Sequence, residues 1–328
     1  MKLRENTMKA LFAAALAASL GLSAQPLSAQ AAVQQAEPCD RACLGAVLQG
    51  FLDAVIAQNP AQAPLAIGFR QTQNSRLTLT DAGVWRTLTA LGPLERRYFD
   101  PVTGNAAFFG LTTVDGRPAV TSLRLQITGR EITEAEWHVA QEGDHGITGE
   151  GSQVVFNPDR LVQDPPPERV VPQDQRLPRD RLVAVVNSYF DGIVAENGRA
   201  VIAHGGCTRF ENGFPAFGGP LRAGQEQDGF AGKQDCTSGY PTLGGLVAAR
   251  RYPLVDEEAQ VVLASAVFVR KPGDTRRRNH FMEVFGVDDG RIRSVHAAMF
   301  YAPPEQPLPN WAPYDGNFPQ IVNPAPTR

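Results

Sequence analysis

LQGFLDAVI (residues 48–56) and VNSYFDGIV (186–194) are the two stretches on which the reading of this chain turns. Aligned without gaps, they set Phe51 against Tyr189 and Asp53 against Asp191. Further matches follow in the same order. FRQTQN (69–74) parallels TRFENG (208–213), with Arg70 against Arg209. LERRYFD (94–100) parallels AARRYPL (248–254), with Tyr98 against Tyr252. GREITEAEWHV (129–139) parallels GRIRSVHAAMF (290–300) across a one-residue gap, anchored on Ile132 and Ile292. Matches kept in one order describe a tandem duplication. Most of the extra length of the second copy falls between Asn212 and Tyr240.

Each copy has the same local pattern. A helix opens it: Leu44, Val47, Leu48, Phe51 and Val55 recur at helical spacing, as do Leu182, Val185, Val186, Tyr189, Phe190 and Ile193. Asp180 is placed to cap the second helix. Strand-like runs follow. AAFFGLTTV turns at Asp115-Gly116 into AVTSLRLQI, which turns near Gly129 into ITEAEWHVA. AQVVLASAVFV, HFMEVFGV, the Asp289-Gly290 turn and IRSVHAAMFY repeat this order. Asx-Gly pairs between strand-like runs signal hairpins. Helices followed by an antiparallel meander predict an α+β fold, a curved sheet wrapped on its helices. Between the copies, residues 157–179 are rich in proline and charge and read as an extended linker.

Lys2, Arg4 and Lys9 precede the apolar run Leu11 to Leu22, and Ala29-Gln30-Ala31 offers small residues for cleavage. Residues 1–31 therefore read as a secretory signal peptide, with periplasmic or extracellular export and no membrane anchor after its removal. The net charge of −3 disfavours nucleic acid as a partner. The run Arg276-Arg277-Arg278 beside Pro272-Gly273-Asp274 reads as a solvated hairpin tip rather than a phosphate site. Four cysteines in an exported chain suggest two disulfides. Three pairings exist, and Cys39–Cys43 with Cys207–Cys236 keeps each bridge local. A zinc site is the alternative, but the spacings fit no zinc pattern, so no metal is expected.

The pattern C-x-R-x-E-N-G at 207–213, a later cysteine, and then Arg-Arg-Tyr-Pro-Leu-Val-Asp-Glu-Glu at 250–258 resembles a SnoaL-like domain of secreted bacterial and fungal proteins. More broadly, each half resembles the nuclear-transport-factor-2-like (NTF2-like) superfamily, with its SnoaL-like and ketosteroid-isomerase-like members. The resemblance implies two tandem cone-shaped domains, residues 38–156 and 180–303, followed by a proline-rich tail at 304–328. It also implies an apolar cavity between sheet and helices for a hydrophobic or aromatic small molecule, and outer sheet faces that could support a homodimer or domain packing.

Chemistry without a cofactor in such a cavity needs a carboxylate or histidine of shifted pKa and a hydrogen-bond donor. Glu283 stands on an alternating face with Phe281, Phe285 and Val287, where the first copy has Leu123. A carboxylate there needs a partner or a raised pKa. Tyr189, matched by Phe51, either adds a polar tip to the packing or donates to substrate. Alternation in CTRFENG puts Cys207, Arg209 and Glu211 on one face, so Glu211 is either the partner of Arg209 or a base at a cavity mouth. His296 aligns with Glu136 and is either a base or an outer-face structural residue. Arg209, Tyr252 and Trp85 are candidates for substrate contact, with Arg209 orienting a carboxylate or enolate. No P-loop, dinucleotide fingerprint or G-x-S-x-G is present in the sequence, and no cofactor is expected. The expectation is an exported lyase, dehydratase or isomerase working by acid–base catalysis. The alternatives are a non-catalytic periplasmic binding protein and a scaffold whose sheets pack together.

Overall fold

The computed structural model describes residues 39–217, 235–237, 245–306 and 311. The expected signal peptide, the loop at 218–234 and most of the C-terminal tail lie outside them. The described chain is mixed α+β, with few helices and two large curved sheets.

The first half begins with α1 (Arg41–Ile56), whose N-terminus is capped by Asp40 accepting from the Cys43 amide at 2.8 Å. There follow β1 (Leu65–Gln73), β2 (Arg76–Leu77), the short α2 (Val84–Thr87), β3 (Leu88–Asp100), β4 (Asn105–Val114), β5 (Arg117–Thr128) and β6 (Glu131–Gln141). Their order across the sheet is β2-β1-β6-β5-β4-β3, with β1 and β6 parallel and the other neighbours antiparallel. The minor hairpin β7 (His145–Gly146) and β8 (Gly149–Gln153) follows.

The second half repeats the plan with α4 (Arg179–Val194), β9 (Ala203–Glu211), β10 (Phe214–Phe217), β11 (Gly245–Asp256), β12 (Val261–Arg270), β13 (Arg278–Asp288) and β14 (Arg291–Ala302). Its strand order is β10-β9-β14-β13-β12-β11, again with one parallel pair, β14 and β9. Pro178 occupies the cap position of α4 and gives it no side-chain acceptor. Asp180 lies in the first turn, where it complements the helix dipole rather than capping the end.

The hairpin turns have a backbone reason. Asp115 and Gly116 both have positive φ, as do Asp289 and Gly290, which suits a two-residue turn between twisted strands. The central strands read as nearly continuous apolar runs because both of their faces are covered. On β4, Phe108 faces the helix of its own half and Phe109 faces the other half. One core packs α1 on the first sheet and another packs α4 on the second. A third joins the backs of the two sheets, with Leu94, Phe109 and Val120 meeting Leu263, Met282 and Val284.

Charged side chains tie the halves in a reciprocal exchange. Arg41, at the start of α1, grips Asp256 at the end of β11 with bonds of 2.8 and 2.9 Å. Arg179, at the start of α4, grips Asp100 at the end of β3 with bonds of 2.9 and 2.6 Å. Each aspartate also accepts a backbone amide from the other half, Phe99 to Asp256 and Val255 to Asp100. Between the sheets, Arg251 reaches Glu136 at 3.0 and 2.5 Å with both groups buried. Arg124, at 3.4 Å from Glu136, adds to the positive surroundings that hold this carboxyl down at about 2 despite its burial.

Residues 157–179 are fastened along this junction. They include α3 (Pro158–Gln163), capped by Asn157, with Leu161 buried in the inter-sheet core. Beyond α3, the Pro166 and Pro167 carbonyls accept from Arg96 and Tyr98. The expected extended linker thus carries a helix and is held by the strands beside it.

Register corrects two matches made from sequence alone. Asn74 exchanges two hydrogen bonds with the Val139 backbone, and Asn212 does the same with Met299. These asparagines are equivalent, so Arg209 corresponds to Gln71 and Glu211 to Gln73, one residue away from the earlier match. Asp100 is likewise equivalent to Asp256, which separates Tyr98 from Tyr252. Tyr98 lies in the inter-sheet core, whereas Tyr252 packs on the core of the second half. Irregular pairing in β3 and β11 is the reason, because each bulge shifts the faces of the residues after it.

Candidate functional site

The interior of the second half holds an ionic cluster that the first half lacks. On β13, Glu283 pairs with Ala264 of β12 on one side and Ala297 of β14 on the other. The equivalent trio in the first sheet is Phe108, Leu123 and Trp137. A carboxylate therefore replaces leucine, and two alanines replace the large aromatic rings beside it. The first half fills the space with Phe51 stacked on Trp137 at 5.9 Å and edge-on to Trp85 at 5.5 Å.

Strand β9 supplies the counter-charge. Arg209 Nη1 donates to Glu283 Oε1 at 2.6 Å, and its Nε donates to Glu211 Oε1 at 3.0 Å. The guanidinium also lies 5.6 Å from the centre of the Tyr189 ring on α4. Tyr189 sits against Phe190 and Phe285 at 5.8 and 5.4 Å. Burial raises the Glu283 pKa, Arg209 opposes that rise, and Glu211 adds to it. Burial alone would lower the Arg209 pKa, but Glu283, Tyr189 and Glu211 outweigh it and hold the guanidinium charged. Glu283 Oε2 is buried with no hydrogen-bond partner. The Glu211 side chain is 13% exposed, so the cluster runs from the interior to the rim.

The disulfide Cys207–Cys236 belongs to the same wall, both cysteines being buried in the second core. Asp235 accepts from the Gly206 amide at 3.0 Å and so ties its segment to β9. The other disulfide is Cys39–Cys43, at the entry to α1. The local pairing expected from the sequence is the one present.

Four of the expected site residues, Glu283, Glu211, Tyr189 and Arg209, come together here. The other three lie elsewhere. His296 lies on the opposite face of β14, stacked on Phe210 at 5.0 Å and bonded to the Asp164 carbonyl at 2.9 Å. Burial, reinforced by Arg96, pushes its pKa down to about 4, and it has no access to Glu283 across the sheet. Trp85 is core packing of the first half, its Nε1 donating to Gln71 at 2.9 Å. Tyr252 donates to Asn187 of α4 at 2.6 Å, beside Arg250, which also bonds Asn187. Ala264 and Ala297 carry no chemistry of their own, and the signal for them in the sequence is the contrast of small against large residues at matched strand positions. Among the described residues, no three His, Cys, Asp or Glu side chains gather in a metal-holding arrangement.

The family described as a domain of unknown function (DUF8021) matches residues 175–299, which run from just before α4 into β14. No curated protein matches the chain. No described helix is long and apolar enough to cross a membrane.

Proposed function

We propose that the two halves are tandem NTF2-like domains and that the second is a small-molecule site worked by acid–base chemistry without a cofactor. The observation that carries the reading is the exchange of Phe108–Leu123–Trp137 for Ala264–Glu283–Ala297. It gives up apolar packing to place a carboxylate in the interior and clears bulk on both sides of it. In the reaction, Glu283 Oε2 takes a proton from a carbon next to a carbonyl of an apolar or aromatic substrate. Arg209 balances the enolate charge, Tyr189 lines the site, and the proton returns at a neighbouring atom. This isomerase-type cycle consumes nothing else. Elimination of a leaving group from the same enolate would make the enzyme a lyase or dehydratase. The first half, packed with aromatic rings, serves as support. The disulfides suit an oxidising compartment, periplasmic or extracellular.

A second reading has its own support. The buried contact of 2.6 Å between Arg209 and Glu283 would also suit a rigid binding site with no turnover. One experiment separates the two. A panel of aromatic and enolisable compounds is screened by thermal stabilisation, and each stabilising compound is followed for conversion and for deuterium uptake from solvent. Turnover that is lost in Glu283→Gln while binding persists supports catalysis. Binding with no conversion or exchange in the wild type refutes it and leaves a binding protein.

A further inference from the structure

We propose that a separate site between the two halves takes a small amphipathic monoanion, an apolar body bearing one carboxylate or sulfonate. The β1–β2 hairpin of the first half and the end of β14 in the second line an open cleft of about 650 Å³. That volume falls within the usual range for small-molecule sites. Its lining includes Arg76, Leu77, Leu79, Asp81, Arg277 and Tyr301. Leu77 and Leu79 are 69% and 67% exposed, so the cleft presents an apolar wall to water.

Two guanidinium groups complement it. Arg76 donates through Nε to Gln306 Oε1 at 2.9 Å, and Arg277 donates through Nε to the Tyr301 carbonyl at 2.9 Å. Among the described residues neither has a carboxylate within ion-pair distance, and their Nη groups remain available for forked bonding to an anion. The neighbours of Arg277 are already engaged, Arg276 with Asp274 and Arg278 with the Gln306 carbonyl. Of the basic run at 276–278, only the middle residue lines the cleft. Asp81 offsets one of the two positive charges, which favours a monoanion over a phosphate. Gln306 also donates to the Asn74 carbonyl at 3.0 Å, so the wall that crosses from one half to the other is already assembled. The inference is independent of the Glu283 site.

The test is calorimetric titration of the full chain at low salt with decanoate and with decanol, both below aggregation. Decanoate is expected to bind at least about tenfold more tightly than decanol. Arg76→Gln, at an exposed position that does not threaten folding, should weaken decanoate about tenfold and leave decanol unchanged. Arg277→Gln should act in the same direction. The double variant Leu77→Ser/Leu79→Ser should weaken both ligands, and Glu283→Gln should alter neither. Equal affinity for the two ligands, no decanoate binding at millimolar concentration, or loss in Glu283→Gln instead of Arg76→Gln would each overturn the proposal.

Discussion

Lowering the pH should loosen the junction between the sheets, because three of the five histidines are buried there. Burial pushes His138 down to about 4, with Glu136 opposing and Arg251 adding to the effect. His296 is pushed down to about 4 for the same main reason, its bond to the Asp164 carbonyl opposing and Arg96 adding. Burial also puts His280 well below its ordinary value, helped by His138 and Arg278. Below about pH 6.5 the unfolded chain takes up protons that these folded imidazoles refuse. Stability is therefore complete above that pH and falls as the pH drops towards 4. Linkage for a shift from about 6.5 to about 4 costs about 2 kcal/mol per histidine at pH 5. His138 and His296 together lose about 4 kcal/mol, a large share of the roughly 5–15 kcal/mol typical of a folded protein. Glu283, whose pKa is raised, acts in the opposite direction, and Glu136, held at about 2, keeps its full contribution above the ordinary carboxylate range and loses it as the pH falls from there towards about 2. Urea unfolding of wild type and His296→Gln between pH 8 and pH 5 measures the effect. Glutamine can still donate to the Asp164 carbonyl but does not titrate, so its profile should be flatter by about 2 kcal/mol. A flat wild-type profile, or an identical slope in His296→Gln, would refute the reasoning.

Two further outcomes follow from buried pairs and cross-links. Arg251→Ala leaves Glu136 buried with a weakened set of counter-charges and should cost about 3 kcal/mol or more in chemical unfolding, whereas Arg251→Met with Glu136→Leu should recover much of the loss. Cys207→Ala/Cys236→Ala opens a loop with a sequence separation of 29 and should cost about 3.5 kcal/mol by loop entropy. Cys39→Ala/Cys43→Ala, with a separation of 4, should cost less, about 2 kcal/mol on the same relation. Equal losses from the two double variants would show that loop entropy is not what these bridges contribute.

Much of the architecture was legible in local pattern. Helical spacing located α1 and α4, and the Asp-Gly pairs located two hairpin turns. Cysteine spacing led to the observed disulfides. Glu283 stands out because a strict alternation of faces exposes one acidic residue in an apolar row, and the register makes it the equivalent of Leu123, as read from the sequence. Where local pattern was irregular, identity misled. Residue identity matches Arg70 to Arg209, yet Arg70 lies against Trp311, 4.2 Å from its ring centre, and Gln71 holds the position of Arg209. The bulged strands β3 and β11 shifted the tyrosines in the same way.

The sequence by itself determined the order of elements, the repeated plan and the covalent cross-links, because each depends on periodicity, turn chemistry or short separation along the chain. Only the tertiary structure decided which charges meet. Arg209 and Glu283 are 74 residues apart, and Arg251 and Glu136 are 115 apart. Both contacts depend on strand register and on which sheet faces another sheet. The same packing turned His296 from a possible base into a neutral core residue, since burial of both sheet faces leaves an outer-face side chain no water.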